Sequence, residues 1–404
     1  MAHTTPMPTT PTTKILAIGT FPPGTDMQFV QHILPAEVRE TAQLYLEGKI
    51  DQWYSLQDRA GVAFILNLTD IGQANEMLEQ LPLGKAHLMT FSLLPIGPLK
   101  PLSKLLNPPS ALKVEVGEVQ VNADITLRHM VYRPARPKGT VLFLHGFPET
   151  MYAWKPIAES LSSDYEVHAF DWPGYGQSSR PGADRFSYAP KDYAHVLEDY
   201  IRTSGIDSSK LVIYATDIGA LPALLAALEQ PDIAREIIVG DFAPFDRPQY
   251  MYESLQGLKS KPSSDAVHAA MNRNRDEILA NTFFRGMSAE ERYALSQEFR
   301  DDMAKGWDGE VTSADAFFHY YSCFTRDQDY FEANMAKLKV PVKLVWGEQD
   351  IYIRKEMGVE YANRNGVKLS ILPKLGHYPH LQAPEQTVNE VRAAFGAGSN
   401  PVSD

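Results

Sequence analysis

The run Leu211-Val212-Ile213-Tyr214-Ala215-Thr216-Asp217-Ile218-Gly219-Ala220 constrains this chain more than any other segment. It reads as a short apolar strand, a tight turn with an acid at its apex, and the start of an apolar helix. A carboxylate at a helix N-terminus is electrostatically favoured in its charged form. Held there, it can attack carbon in line with a leaving group. The product is an alkyl ester, which water must then cleave. The competing reading is an Asp that only caps the helix. Asp217 alone does not separate the two; its sequence context does.

The chain has 404 residues, enough for more than one domain and a substantial core. A formal charge of −12, with Lys and Arg scattered rather than blocked, gives no support to a nucleic-acid surface. The single cysteine, Cys323, excludes an internal disulfide and a zinc–thiolate cluster; it is expected to be packed, in a reducing, cytoplasmic compartment. No secretory leader pattern opens the chain, and no run of about 18 apolar residues suggests a membrane span. The Thr- and Pro-rich residues 1–13 read as a disordered lead, and 396–404 as a frayed tail.

Two domains are expected. Within residues 14–95, strand-like runs at 14–20, 51–56, 62–68 and 87–94 alternate with helical stretches at 27–45 and 71–80. Pro35 should break the first helix, and Asp70 offers a start signal for the second. The order β-α-β-β-α-β is the ferredoxin-like α+β arrangement. Residues 96–111, dense in proline, read as a semi-rigid linker. From 112 to 397 the pattern changes. Runs at 113–121 and 125–133 suggest an antiparallel pair. Short apolar strands follow at 140–144, 166–170, 211–214, 236–239, 342–345 and 368–372, with helices around Ala158 and over 193–203, 220–228 and 387–395. Such alternation predicts a mostly parallel sheet covered on both faces. The aromatic-rich interval at about 244–337 is too long for a loop and reads as an inserted helical cap.

Several motifs fall at the ends of these strands in a fixed order: His145-Gly146-Phe147-Pro148-Glu149, Asp171-Trp172-Pro173-Gly174-Tyr175-Gly176, the Asp217 turn, Trp346-Gly347-Glu348-Gln349-Asp350, and Gly376-His377-Tyr378-Pro379-His380. With these motifs the second domain resembles the α/β-hydrolase family, and within it the epoxide hydrolase and haloalkane dehalogenase branch. The resemblance implies an α/β-hydrolase fold with a helical cap and an Asp217–Asp350–His377 catalytic group. Two positions depart from the branch: Ala215 replaces a usual histidine, and Ile218 a usual tryptophan whose indole N–H helps clamp halide. The arginine pair expected in fluoroacetate dehalogenases is also missing. The first domain, through Leu34-Pro35-Ala36-Glu37-Val38 at the opening of its first helix and Leu81-Pro82-Leu83 after its second, resembles the muconolactone isomerase family. That resemblance implies a dimerising sheet, not an isomerase activity.

In this reading His377 takes a proton from water and directs hydroxide onto the Asp217 ester, while Asp350 orients the imidazole. His380 competes with His377, and Glu348 and Asp241 with Asp350. The backbone N–H groups of Phe147 and Ile218 would form the hole for the ester oxygen; Phe147 and Trp154 would line or underlie the pocket. Epoxide opening needs an acid for the nascent alkoxide. Tyr321 is the preferred donor from the cap and Tyr252 the alternative. No nucleotide, phosphate-loop or zinc signature competes, so no metal or organic cofactor is expected. The leading expectation is a cofactor-independent epoxide hydrolase acting on a small apolar or moderately polar organic substrate, homodimeric through its first domain. A haloalkane-type dehalogenase, a lactone or ester hydrolase, and a non-catalytic hydrolase-like binding protein are the alternatives.

Overall fold

The computed structural model describes residues 12–97 and 114–396. The expected linker lies almost wholly outside these residues, as do most of both tails. The chain separates into two compact units, Met1–Pro109 and Ser110–Asp404.

In the first unit, β1 (Lys14–Thr20), β2 (Ile50–Ser55), β3 (Gly61–Leu66) and β4 (Thr90–Ile96) form one sheet in the order β2-β3-β1-β4. Every pairing is antiparallel. The alternation of β1 sends Ile15 and Ala17 into a core with Phe64, Leu66, Ala74, Leu78 and Leu81. Two helices, Met27–Leu46 and Ile71–Glu79, connect the strands. The second is capped as expected: Asp70 Oδ1 accepts the Gln73 N–H at 2.9 Å. The first is not broken at Pro35; it runs straight through it, so Leu34–Val38 lies mid-helix rather than opening it. Tertiary anchoring beyond the proline accounts for this. Glu37 is buried and accepts the Leu83 N–H at 2.7 Å, tying the helix to the short turn Pro82–Lys85.

The second unit holds an eight-stranded sheet. Its strands are β5 (Glu115–Gln120), β6 (Thr126–Tyr132), β7 (Thr140–Leu144), β8 (Glu166–Phe170), β9 (Leu211–Thr216), β10 (Glu236–Gly240), β11 (Val342–Gly347) and β12 (Lys368–Leu372), in the order β12-β11-β10-β9-β7-β8-β6-β5. β7 to β12 pair in parallel, and the antiparallel hairpin β5–β6 joins at β8. All residues of β7 and β9 are buried, as a central strand covered on both faces requires. The sequence pattern passed over one crossover helix, Lys355–Asn365, whose charged surface hides a narrow buried stripe of Met357, Gly358 and Tyr361.

Between β10 and β11 the chain is helical, with Ser263–Arg273, Gln297–Lys305 and Ser313–Asn334 its longer pieces. A buried ion cluster fixes this region to the sheet. Arg128 on β6 bonds Asp302 of the helix Gln297–Lys305 through both Nη atoms, at 2.7 and 2.6 Å, and Asp171 through Nε at 2.6 Å. Among the described residues, no helix is long and apolar enough to cross a membrane.

Candidate active site

The loops that leave the C-terminal ends of β7, β9, β10, β11 and β12 meet at one point, the usual place for chemistry in an open parallel sheet. Asp217 directly follows β9 in the left-handed region, with φ +49°. A non-glycine residue there is strained, and such strain concentrates at functional sites. Close packing keeps the turn in place. A Cβ on Gly146 would stand 2.7 Å from that of Asp217, and one on Gly219 would stand 3.0 Å from the His145 carbonyl oxygen. Only glycine lets the two loops approach so closely.

Asp217 Oδ1 accepts the Phe147 N–H at 2.7 Å. Its Oδ2 lies 3.4 Å from His377 Nε2. On the other side of the imidazole, His377 Nδ1 and Asp350 Oδ2 are 2.8 Å apart. The second Asp350 oxygen accepts the N–H groups of Tyr352 and Ile353, at 2.8 and 3.0 Å. The three side chains thus form one hydrogen-bonded line: Asp350 is fully buried, while the Asp217 side chain keeps 14% of its surface exposed to a cavity. Burial alone would depress the His377 imidazole. The Asp350 charge and the hydrogen bonds to Asp217 and Asp350 more than offset this and hold it well above its ordinary value. His377 therefore stands between two carboxylates that both favour its protonated form.

Asp217 and His377 open onto a cavity of about 660 Å³, whose wall includes Phe147, Tyr252, Leu258, Met271, Phe317 and Tyr352. A smaller cavity of about 240 Å³ reaches His377 past Gly286, Met287 and Gln349. Tyr252 therefore stands in the wall of the main cavity; its hydroxyl is 3.5 Å from Arg285 Nη1. Tyr321 instead borders a recess of about 10 Å³ beside Asp217 and Ile218. Its hydroxyl makes no hydrogen bond to any described residue, and burial and the Asp217 charge hold it well above the ordinary phenol value. Ile218 is buried beside Asp217, and its carbonyl accepts the Tyr320 hydroxyl at 3.1 Å. Trp154 does not line the cavity. It is fully buried, stacked on His380 at 4.3 Å and on Phe143 at 4.8 Å. The competitors of His377 and Asp350 have other partners. His380 Nε2 is 2.7 Å from Glu149 Oε1, and Glu348 Oε2 accepts the Lys374 N–H at 3.2 Å.

Three contributors escaped the sequence reading. Tyr378 donates to the Phe147 carbonyl at 2.9 Å, holding the turn whose N–H reaches Asp217. Glu149 accepts the Gly146 N–H at 2.8 Å in the same turn. Tyr352 lies against the His377 ring at 5.0 Å. Tyr378 and Glu149 belong to the motifs quoted above and Tyr352 lies two residues past one, so position in the chain was the available signal. Donor atoms of Asp241, Asp350 and His377 lie within 4.8 Å of one another. His377 Nδ1 and Asp350 Oδ2 are already bonded to each other, so the group is a hydrogen-bonded chain rather than a ligand set.

Residues 141–391 match the alpha/beta hydrolase family. Epoxide hydrolase 4 of Mus musculus is 25% identical over 280 residues, covering 66% of this chain and 75% of the relative. Epoxide hydrolase 3 of Xenopus tropicalis is 23% identical over 301 residues, covering 66% and 74%. The solved epoxide hydrolase CorEH, at 16% identity, superposes with a TM-score of 0.58 over 70% of this chain and 99% of its own, a likeness of fold.

Proposed function

The chain belongs to the alpha/beta hydrolase family, and we propose that it opens an epoxide to a vicinal diol through an ester on Asp217. The observation that carries this reading is the line Asp217–His377–Asp350 facing a cavity, with a carboxylate where ester hydrolases of this fold place serine. Asp217 attacks the less hindered epoxide carbon, and the C–O bond breaks. A phenol O–H passes its proton to the departing oxygen. Tyr321 borders the recess beside Asp217 and Tyr252 lines the main cavity onto which Asp217 opens, and we assign them this role. The Phe147 N–H, already on Asp217 Oδ1, stays with that oxygen as it becomes the ester carbonyl and then the oxyanion.

The charge balance of the site times the second step. While Asp217 is anionic, it helps hold His377 protonated. Alkylation removes that charge, so the imidazolium gives its Nε2 proton, through water in the cavity, back to the phenolate left by the first step and becomes the base that activates water. Attack on the ester carbonyl releases the diol and restores the carboxylate. A halide-releasing reaction lacks comparable support: none of the described tryptophans lines the main cavity, so no indole N–H is offered there to a halide. A cavity of about 660 Å³ suits a drug-sized, mainly apolar substrate. Single turnover of an aryl or alkyl epoxide in ¹⁸O-water tests the intermediate. The label should enter Asp217 and be absent from the first diol released; label in the diol and none in the enzyme refutes the ester.

For the first unit we propose a ferredoxin-like, muconolactone-isomerase-like module that pairs two copies of the chain. The strand order β2-β3-β1-β4 supports the fold. Leu16 is the cross-strand neighbour of both Ile65 and Leu94 on the face opposite the Ile15–Phe64 core, and Leu94 is 48% exposed. An apolar row on an open sheet face favours packing against a second sheet.

A further inference from the structure

Asp241 is a second buried acid at the site, and the mechanism above leaves it without a task. It follows β10, which lies between the strand that carries Asp217 and the strand that precedes Asp350. Like Asp217 it adopts the left-handed conformation, with φ +50°, so the chain is strained to keep this side chain where it is. Asp241 is completely buried. Its Oδ1 accepts the Gly347 N–H at 2.9 Å. Its Oδ2 is buried and, among the described residues, has no donor to accept from. Asp350 is in the opposite condition: its two oxygens receive Tyr352 N–H, Ile353 N–H and His377 Nδ1.

Donor atoms of Asp241, Asp350 and His377 lie within 4.8 Å of one another. Two carboxylates this close in a dry site do not both ionise, and the one with more donors keeps the charge. An unpartnered carboxylate oxygen is costly, whereas a carboxylic O–H at the same place is a donor aimed at a neighbouring anion. We propose that Asp241 is a positioning residue: as a neutral acid it donates its Oδ2–H to Asp350 and so limits the negative charge that Asp350 presents to His377. The inference rests on His377 being the base of the hydrolytic step.

The groups that face Asp241 agree with this assignment. Burial and the Asp350 charge push its carboxyl well above the ordinary range, and the His377 charge and the Gly347 N–H offset them only in part. The Tyr214 hydroxyl, on β9, is the other titratable group that feels Asp241. Without the Asp241 donor, Asp350 would hold the imidazolium more tightly, and His377 would release its proton to solvent later on the pH scale. No proton leaves Asp241 during turnover; its bond shifts the balance between imidazolium and imidazole.

Two variants and the wild-type enzyme test this. Asp241→Ala removes the donor. Asp241→Asn places an amide N–H₂ toward Asp350 and keeps a carbonyl for Gly347. In Asp241→Ala the rising limb of the kcat–pH profile should move up by about one unit, and Asp241→Asn should restore the wild-type position. Carbon-13 NMR of the wild-type enzyme with labelled aspartate, assigned by the signal lost in Asp241→Asn, should show the Asp241 carboxyl protonated at neutral pH. An ionised Asp241 in that spectrum overturns the proposal, as does an Asn variant that shifts the limb as far as Ala. The spectrum requires no substrate and no altered chain. It therefore judges Asp241 if Asp241→Ala fails to fold, and it separates failure of this proposal from failure of the epoxide reading.

Discussion

Replacing Asp217 by Asn freezes the charge state that the alkyl-enzyme ester would have. The amide is neutral, as an ester is, and its oxygen can keep the Phe147 N–H. His377 then loses one of the two carboxylates that hold it protonated. At the 3.4 Å separation of Nε2 and Oδ2, two unit charges attract by about 5 kcal/mol at an effective dielectric of about 20, and by about 1 kcal/mol at that of water. Asp217 faces the cavity and His377 is buried, so the site falls between these limits. At about 1.4 kcal/mol per unit, the His377 pKa should fall by roughly 1 to 3.5 units. Nitrogen-15 NMR of histidine-labelled protein reads this directly. The chain has eleven histidines, so the resonance is assigned by its absence in His377→Gln. In the wild type the imidazolium should persist well above the ordinary histidine range; in Asp217→Asn it should titrate at markedly lower pH. An unchanged titration would refute the coupling between nucleophile charge and base strength, and with it the timing of the two steps.

Tyr321→Phe and Tyr252→Phe should each lower the rate of ester formation from an epoxide, by about 10²-fold or more for the residue that protonates the oxygen; stopped-flow kinetics on both variants will rank them, and no loss in either would remove the phenols from the mechanism. Asp302→Ala leaves the Arg128 guanidinium buried with one carboxylate lost, and should cost about 3–5 kcal/mol of stability in denaturant titration. Asp241→Asn should stabilise the fold, and more so as pH rises. The raised carboxyl makes the wild-type native state keep a proton that the unfolded chain releases above the ordinary Asp range. The difference in unfolding free energy should therefore grow by up to about 1.4 kcal/mol per pH unit until the folded group ionises. Leu94→Glu, on the open face of the first sheet, should lower the mass seen by light scattering if that face pairs two copies; an unchanged mass would exclude this face as the interface.

The strands and the residues of the Asp217–His377–Asp350 line were legible because both are written locally. The central strands are continuous apolar runs of five or six residues, and Asp217, Asp350 and His377 each sit in a short motif just past a strand end. The misreadings have a common physical origin in partners distant along the chain. Pro35 is a sound local reason to end a helix, but Glu37 reaches forty-six residues ahead to the Leu83 N–H. The state of Asp241 was beyond local reading altogether. Its identity as a competitor for Asp350 could be seen, but which of two acids carries the charge depends on a count of backbone donors that only the folded loops supply.

That count also bears on the two departures at the nucleophile turn. Ala215 and Ile218 remove side chains that relatives of this branch are expected to use near the reacting carboxylate. Neither position carries any of the hydrogen bonds that define the line here. Those come from the Phe147 N–H, the two ring nitrogens of His377, and the N–H groups of Tyr352 and Ile353. Backbone donors and one imidazole therefore suffice to align Asp217, His377 and Asp350. Without a histidine at 215 and a tryptophan at 218 the turn offers fewer side chains to a leaving group, while the Asp217–His377–Asp350 line stays intact. The leaving atom must then find its proton or its counter-charge in the cap. Of the groups the cap offers beside Asp217, a phenol held in its protonated form suits an alkoxide oxygen better than a halide.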